Sequence, residues 1–208
     1  MDARLFKGSF HLGTKTANAG TAFYAAIPPK SGAYTKIHRL VYTTGTTAHT
    51  LSILKAQGKT TTSAAAAASD TALTLTSINP AVDASGASLS ENLAASDFIV
   101  VQHSDGTWGA YLISAINTTT KVVTINALAK AVASGAVVYA MHELARTTGK
   151  DSIQITTTAS STQTFETYAP EGGIASSAGE NEPLIVHSNN ATAAGSVVHL
   201  SEIGRAHV

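Results

Sequence analysis

Apolar positions from residue 97 onward fall into short runs punctuated by turn residues. Phe98 to Gln102 and Trp108 to Ser114 are β-branched and aromatic runs joined across Ser104-Asp105-Gly106-Thr107. Asp-Gly between two apolar runs is the strongest short hairpin signal. Val122 to Ile125 follows the turn Asn117-Thr-Thr-Thr-Lys121, and Gly135 breaks the chain before Val137, Val138 and Tyr139 start a further strand. With Leu73 to Thr76, which alternates with period two, this region holds five short strands, the pattern of a small barrel or sandwich.

The flanks are also read as strands. Ser9 to Leu12, Ala22 to Ile27, Lys36 to Tyr42 and Leu51 to Leu54 precede the barrel region, with Pro28-Pro29 ending the second of them. Ile153 to Thr157 and Thr162 to Tyr168 follow it, and Glu182 to Ser188 with Ser196 to Ser201 reads as a closing hairpin across Asn189 to Gly195. Between the first flank and the barrel, Lys59 to Asp70 is low in complexity. Its five alanines, flanked by Thr, are too short for a stable helix. The predicted class is therefore all-β: a jelly-roll-like β-sandwich with an inserted small β-barrel. Residues 1–56 plus 147–208 form the discontinuous sandwich, 57–69 a linker and 70–146 the barrel. Neither sandwich half holds enough strands to be stable alone.

Composition narrows what such a chain does. Of 208 residues, 44% are hydrophobic, 12% charged and 6% aromatic, while Ala, Thr and Ser make up roughly four residues in ten. A chain of this length buries roughly 70% of its unfolded surface. An alanine methyl contributes only about 0.8 kcal/mol on burial, so an Ala-rich interior is expected to be thin and self-association to supply stability. The formal net charge is zero with scattered Lys and Arg, which opposes nucleic-acid binding and permits close packing of copies. Absence of cysteine removes disulfides, thiolate metal sites and cysteine nucleophiles. The start, Met-Asp-Ala-Arg-Leu-Phe-Lys-Gly, lacks an apolar secretory segment and no window is long enough to span a membrane, so the chain is expected to be made in the cytosol and to stay soluble. Asn117-Thr-Thr119 and Asn190-Ala-Thr192 match the glycosylation triplet, which means nothing without secretion.

Reactive chemistry is sparse. Gly58-Lys59-Thr60 resembles the end of a phosphate-binding loop, but Ile53 stands where that motif needs glycine. Gly-x-Ser-x-Gly and His-Glu-x-x-His do not occur. Eight histidines, at 11, 38, 49, 103, 142, 187, 199 and 207, fit no ligand spacing. His187 and His199 face one another if the closing hairpin forms, although zinc usually takes three or four ligands; otherwise the histidines belong on solvated or interfacial strand faces. Adding a charge to each of the eight would carry the net charge from zero to +8, which would loosen contact with a partner in acid. Glu166, Glu171, Glu180 and Glu182 read as solvated loop carboxylates, with only Phe165 and Tyr168 near them as sugar platforms. Trp108, the sole tryptophan, reads as a barrel plug. No catalytic, cofactor-binding or metal-binding residue is expected, and no enzyme activity.

Two segments carry a family likeness. Glu180-Asn-Glu-Pro-Leu-Ile-Val-His-Ser-Asn-Asn-Ala-Thr-Ala-Ala-Gly-Ser-Val-Val-His is one. Thr71-Ala-Leu-Thr-Leu-Thr-Ser, with Asp97-Phe-Ile-Val-Val-Gln-His-Ser-Asp-Gly-Thr-Trp and Thr124-Ile-Asn-Ala, is the other. Together, over about half the chain, they resemble tailed-phage capsid decoration (cement) proteins and related phage virion β-structural proteins. The resemblance implies a sandwich, commonly trimeric, seated on the lattice of the major capsid protein at the capsid exterior and reinforcing the shell. It carries over no functional residue. The N-terminal arm, Met1 to Gly13, is a candidate for strand exchange or docking. Two alternatives remain: a tail, adaptor or fibre-associated structural protein, which would use the same modules, and a carbohydrate-binding β module, which would call for a concave face with two or three exposed aromatics.

Overall fold

A computed structural model describes residues 8–16, 23–29, 33–43, 50–79, 92–141, 153–156, 162–166, 182–188 and 197–206. Thirteen strands run through them: β1 (Gly8–Thr16), β2 (Phe23–Ile27), β3 (Ala33–Thr43), β4 (Thr50–Thr61), β5 (Ala72–Thr74), β6 (Phe98–Gln102), β7 (Trp108–Asn117), β8 (Val122–Ile125), β9 (Val137–Met141), β10 (Ile153–Thr156), β11 (Thr162–Glu166), β12 (Leu184–Ser188) and β13 (Val197–Ala206). The described residues are all-β and every strand pairing is antiparallel, the arrangement of the β-sandwich class. The chain divides into two compact units, 1–55 with 149–208, and 56–148.

In the first unit, one sheet has the order β1-β13-β3-β11. The other sets β12 between β2 and the first half of β4, with β10 on the far side of β4. β1, β3, β10, β11 and β13 are described by their backbone pairing. Leu184, Ile185, Val186 and His187 are all buried, so β12 is covered on both faces, as its unbroken apolar run requires. The closing hairpin does not form. β12 and β13, consecutive in sequence, pair in different sheets: Val186 opposite Ala25 and Ile53, and Val198 opposite Lys15 and Tyr42. Each strand satisfies its ladder on both edges with partners distant in sequence, which leaves neither an edge for the other. Gly8 to Gly13 of the expected arm lies in β1, an edge strand laddered on β13; residues 1–7 lie outside the described residues.

The second unit is a six-stranded barrel, β4-β9-β6-β7-β8-β5, in which Ala56–Thr61 of β4 supplies the first strand. It closes where Thr62 bridges Leu75, with Thr76 N–H donating to Thr61 O at 2.8 Å and Ser63 N–H to Thr74 O at 2.9 Å. Residues 57–69 are accordingly not a linker. Lys59, Thr60 and Thr61 are strand, and Ala66, inside the alanine run, pairs with Val132. The run forms no helix: Ala66 exchanges both backbone hydrogen bonds with Val132, and the Ala67 N–H and C=O are taken by Asp70.

Alternation fills the interior: Ile99 and Val101 from β6, Tyr111 and Ile113 from β7, Val123 and Ile125 from β8, Val138 and Ala140 from β9, with Leu128 and Val132 from the connection between β8 and β9. Among the described residues Ala140 is the only alanine in the buried hydrophobic set, so the core is aliphatic and aromatic rather than Ala-rich. Three corners share one geometry. In Ala67–Asp70, Ala94–Asp97 and Ala133–Ala136 the last N–H donates to the first C=O at 3.3, 3.2 and 3.3 Å, and the third residue has positive φ: Ser69 at 74°, Ser96 at 75° and Gly135 at 80°. These are type II turns running into bulges, each bracketing one residue of the partner strand or segment, namely Leu128, Ile113 and Thr62.

Candidate functional site

The Asp-Gly turn between β6 and β7 sets the geometry of the polar cluster with the most acid–base chemistry among the described residues. Gly106 takes φ 81°, and Val101 pairs with Gly109 while His103 N–H donates to Thr107 O at 2.8 Å. The period of two then sends His103 and Tyr111 to the same side as Ile99, Val101 and Ile113. Both rings are buried, at 5% and 4% exposure. They meet edge to face, centroids 6.1 Å apart and planes at 76°, with His103 Nε2 2.7 Å from the Tyr111 hydroxyl. Gly109 makes the room: a Cβ there would lie 2.6 Å from the Tyr111 oxygen and 2.7 Å from His103 Cε1 and Nε2.

The hydrogen bonds fix the protons. Thr107 Oγ1 donates to Asp105 Oδ1 at 2.6 Å, so toward His103 Nδ1, 3.0 Å away, it can only accept. His103 therefore carries its proton on Nδ1, and Nε2 accepts from the Tyr111 O–H. The Tyr111 oxygen accepts in turn from Ala129 N–H at 3.1 Å. Lys130 Nζ lies 2.6 Å from Asp105 Oδ2 and 3.2 Å from Thr107 Oγ1, and Thr107 N–H donates to Asp105 Oδ1 at 3.0 Å.

Burial lowers the His103 pKa, with Asp105 opposing and Lys130 adding to the effect. Burial raises that of Tyr111 against the Ala129 N–H. Hydrogen bonds from Lys130 and Thr107 hold Asp105 well below the usual carboxylate range. Both nitrogens of His103 are engaged with the chain's own atoms. The arrangement can tie the hairpin tip to residues 126–132, a tie that Ser104 N–H completes by donating to Ala131 O at 2.9 Å.

Other expected residues fall elsewhere. His187 is buried in β12, opposite Tyr24 and Ser52, and burial pushes its pKa down to about 4. His103 and His187 are thus buried, where solvated or interfacial strand faces were expected for the histidines. His199 pairs with Thr14 and Val41 in the other sheet, so the register that would set it opposite His187 is absent. His11 and His38 lie in β1 and β3, and Glu166 and Phe165 in β11, known by backbone only. His49, His142, His207, Glu171, Glu180 and Tyr168 lie outside the described residues. Lys59 is exposed in mid-strand opposite Tyr139, so no phosphate loop exists there. Trp108 is not a plug. Gly109 takes the inward phase, and Trp108 lies half-buried against Tyr139, centroids 5.7 Å apart and planes at 46°. Asn117 is spent on its turn, where Oδ1 accepts from Thr119 and Thr120 N–H, both at 3.0 Å. No described helix is long and apolar enough to cross a membrane. Among the described residues no group of three or more His, Asp or Glu is placed to hold a metal.

His103 was within reach of the sequence. The hairpin places Gly109 opposite Val101, and two residues further on each side brings His103 into phase with the interior.

No protein-family model matches this chain, and none of the curated proteins does. Among solved structures, the complex of VP16 and VP17, the two major capsid proteins of bacteriophage P23-77, aligns over 89% of this chain and 99% of its own at 13% identity and a TM-score of 0.23. VP17, a capsid protein of the same phage, aligns over 92% and 100% at 13% identity and a TM-score of 0.20.

Proposed function

We propose that this chain is a phage virion structural protein, a capsid decoration or cement protein that binds the assembled lattice of the major capsid protein from the capsid exterior. It would act as a homotrimer, made in the host bacterial cytoplasm, and would be neither an enzyme nor a nucleic-acid or membrane binder. The observation that carries the reading is how the chain spends its polar chemistry. His103, Tyr111, Thr107, Asp105 and Lys130 bond to one another and to backbone, Thr62 bonds to the 133–136 corner of the barrel, and Thr60 accepts from the Ser77 N–H. Side chains used this way stiffen a scaffold. The segments resembling decoration proteins, the zero net charge and the Thr-rich strands support the same reading, since a shell clamp works through many modest contacts spread over a surface.

Size measurement in solution combined with co-sedimentation on empty capsids tests it. Trimers that pellet with shells support the proposal; monomers that stay in the supernatant refute it. Removing residues 1–12 takes away much of β1, so loss of binding in that variant counts for the arm only if the sheet still melts cooperatively.

One observation favours the carbohydrate-binding alternative. Trp108 and Tyr139 form a tilted pair on the outward phase of the barrel, which is the start of a sugar platform. Glycan-array retention that is lost in Trp108→Ala would move the assignment there.

A further inference from the structure

We propose that the His103–Tyr111 pair is a proton-operated latch: with His103 neutral it fastens the β6–β7 tip to residues 126–132, and protonation of Nε2 unfastens that segment. The inference stands on the barrel alone and does not depend on the virion reading.

The chemistry follows from the donor and acceptor count. In the neutral state each proton has a destination: Nδ1–H on Thr107 Oγ1, the Tyr111 O–H on Nε2, and Ala129 N–H on the Tyr111 oxygen. A proton added to Nε2 turns that acceptor into a donor, directed at a hydroxyl that is itself donating. Tyr111 must then turn its O–H away inside a buried site, or the two rings must part, and a buried hydroxyl without an acceptor is costly.

Among the described residues, the charged and titratable groups facing the pair are Asp105 on the turn, Lys130 on the 126–132 segment and Tyr111 itself on β7. Lys130 is engaged with Asp105, so the carboxylate's pull on the new imidazolium is offset close by. The segment also has something to release. Leu128 and Val132, at 2% and 1% exposure, belong to the barrel core, so unfastening loosens one end of that core. His103 then acts as a sensor whose readout is the mobility of one short connection.

The sign is fixed by burial. The His103 pKa lies below its usual 6.5, so the latch is fully closed above 6.5 and opens as pH falls from there through the lowered value.

Amide exchange by NMR on the full chain, each rate divided by its intrinsic value, reads the latch at Ala129, whose N–H donates to the Tyr111 side chain. Ala129 protection is expected to fall by up to about tenfold for each pH unit between 6.5 and the lowered His103 pKa and to level off below it, while Val123 in β8 keeps its protection. In His103→Gln, whose amide both donates and accepts but does not titrate, Ala129 protection should be flat over the same range. Nitrogen shifts of the parent at neutral pH should show His103 protonated on Nδ1. Flat Ala129 protection in the parent from about pH 7.5 to about pH 4.5 overturns the proposal. So does an unchanged slope in His103→Gln, or an Nε2–H tautomer. Should His103→Gln fail to fold, Tyr111→Phe decides: the latch requires Ala129 to lose protection at neutral pH, and retained protection overturns it.

Discussion

At Gly109 the missing side chain has a specific use. His103 and Tyr111 stand over its Cα, held by hydrogen bonds at both ends of the imidazole, so neither ring swings aside freely. Gly109→Ala is expected to cost about 1–3 kcal/mol, as overpacking does, and to separate the two rings. Urea denaturation measures the first effect and the Ala129 amide the second; an unchanged midpoint would mean that the rings are looser than the distances imply. His187 makes a different residue-scale prediction. Its pKa of about 4 sits below the usual 6.5, so its neutral form belongs to the fold. The stabilisation is complete above pH 6.5 and is lost as pH falls from there toward about 4, an effect on the order of 3 kcal/mol. Melting temperature followed through that window should fall, and should fall less in His187→Gln. An equal slope in parent and variant would assign the acid sensitivity to other groups.

The three bulged corners are the recurrent element of the barrel, and two of them place serine where glycine is the easier residue. Ser69 and Ser96 sit at φ 74° and 75°, a conformation that costs an L-residue about 1–2 kcal/mol. Each is followed by an aspartate that ties the turn back: Asp70 Oδ2 accepts from Ala67 N–H and Asp97 Oδ2 from Ala94 N–H, both at 2.7 Å. Ser96→Gly should therefore raise stability by up to about 1 kcal/mol, and Asp97→Ala, which leaves the Ala94 N–H without its carboxylate, should lower it by about 1–3 kcal/mol. Denaturant midpoints of the two variants check both signs, and a destabilised Ser96→Gly would refute the strain argument. The Ala-Ala-Ser-Asp repeat behind these corners stands in the sequence, but Ser carries no intrinsic preference for positive φ that would mark it as a turn. Legibility followed locality. β6 and β8 were readable to the residue because Asp105-Gly106 and Asn117 to Lys121 are local turns. The second half of β4 was not, because its threonines read as polar loop. Inside the barrel their hydroxyls find backbone: Thr62 Oγ1 donates to Ala133 O at 2.6 Å, and Ser77 N–H donates to Thr60 Oγ1 at 3.2 Å. Those partners lie 71 and 17 residues away. The β12–β13 pairing failed for the same reason, since no local signal says which sheet a strand will join.

At the scale of the molecule, the chain leaves the first unit after Lys55 and returns at Gly149. Ile53 pairs with Ile153 and Thr50 with Thr156, so β4 and β10 are the two arms of an antiparallel hairpin whose connection is the whole barrel. A hairpin tolerates a change of its connection when the ends already lie side by side, because closing a short loop between neighbouring strands costs little chain entropy. The barrel, in turn, brings its own closing ladder between β4 and β5 and its own buried cluster. Replacing residues 56–148 with a short Asn-Gly turn is therefore expected to leave a β-rich protein that melts cooperatively, since both four-stranded sheets keep all their pairings. Circular dichroism on heating measures this. A sloping, non-cooperative transition would show that the first unit needs the barrel to fold, and the insertion would then be a structural dependence rather than an added module.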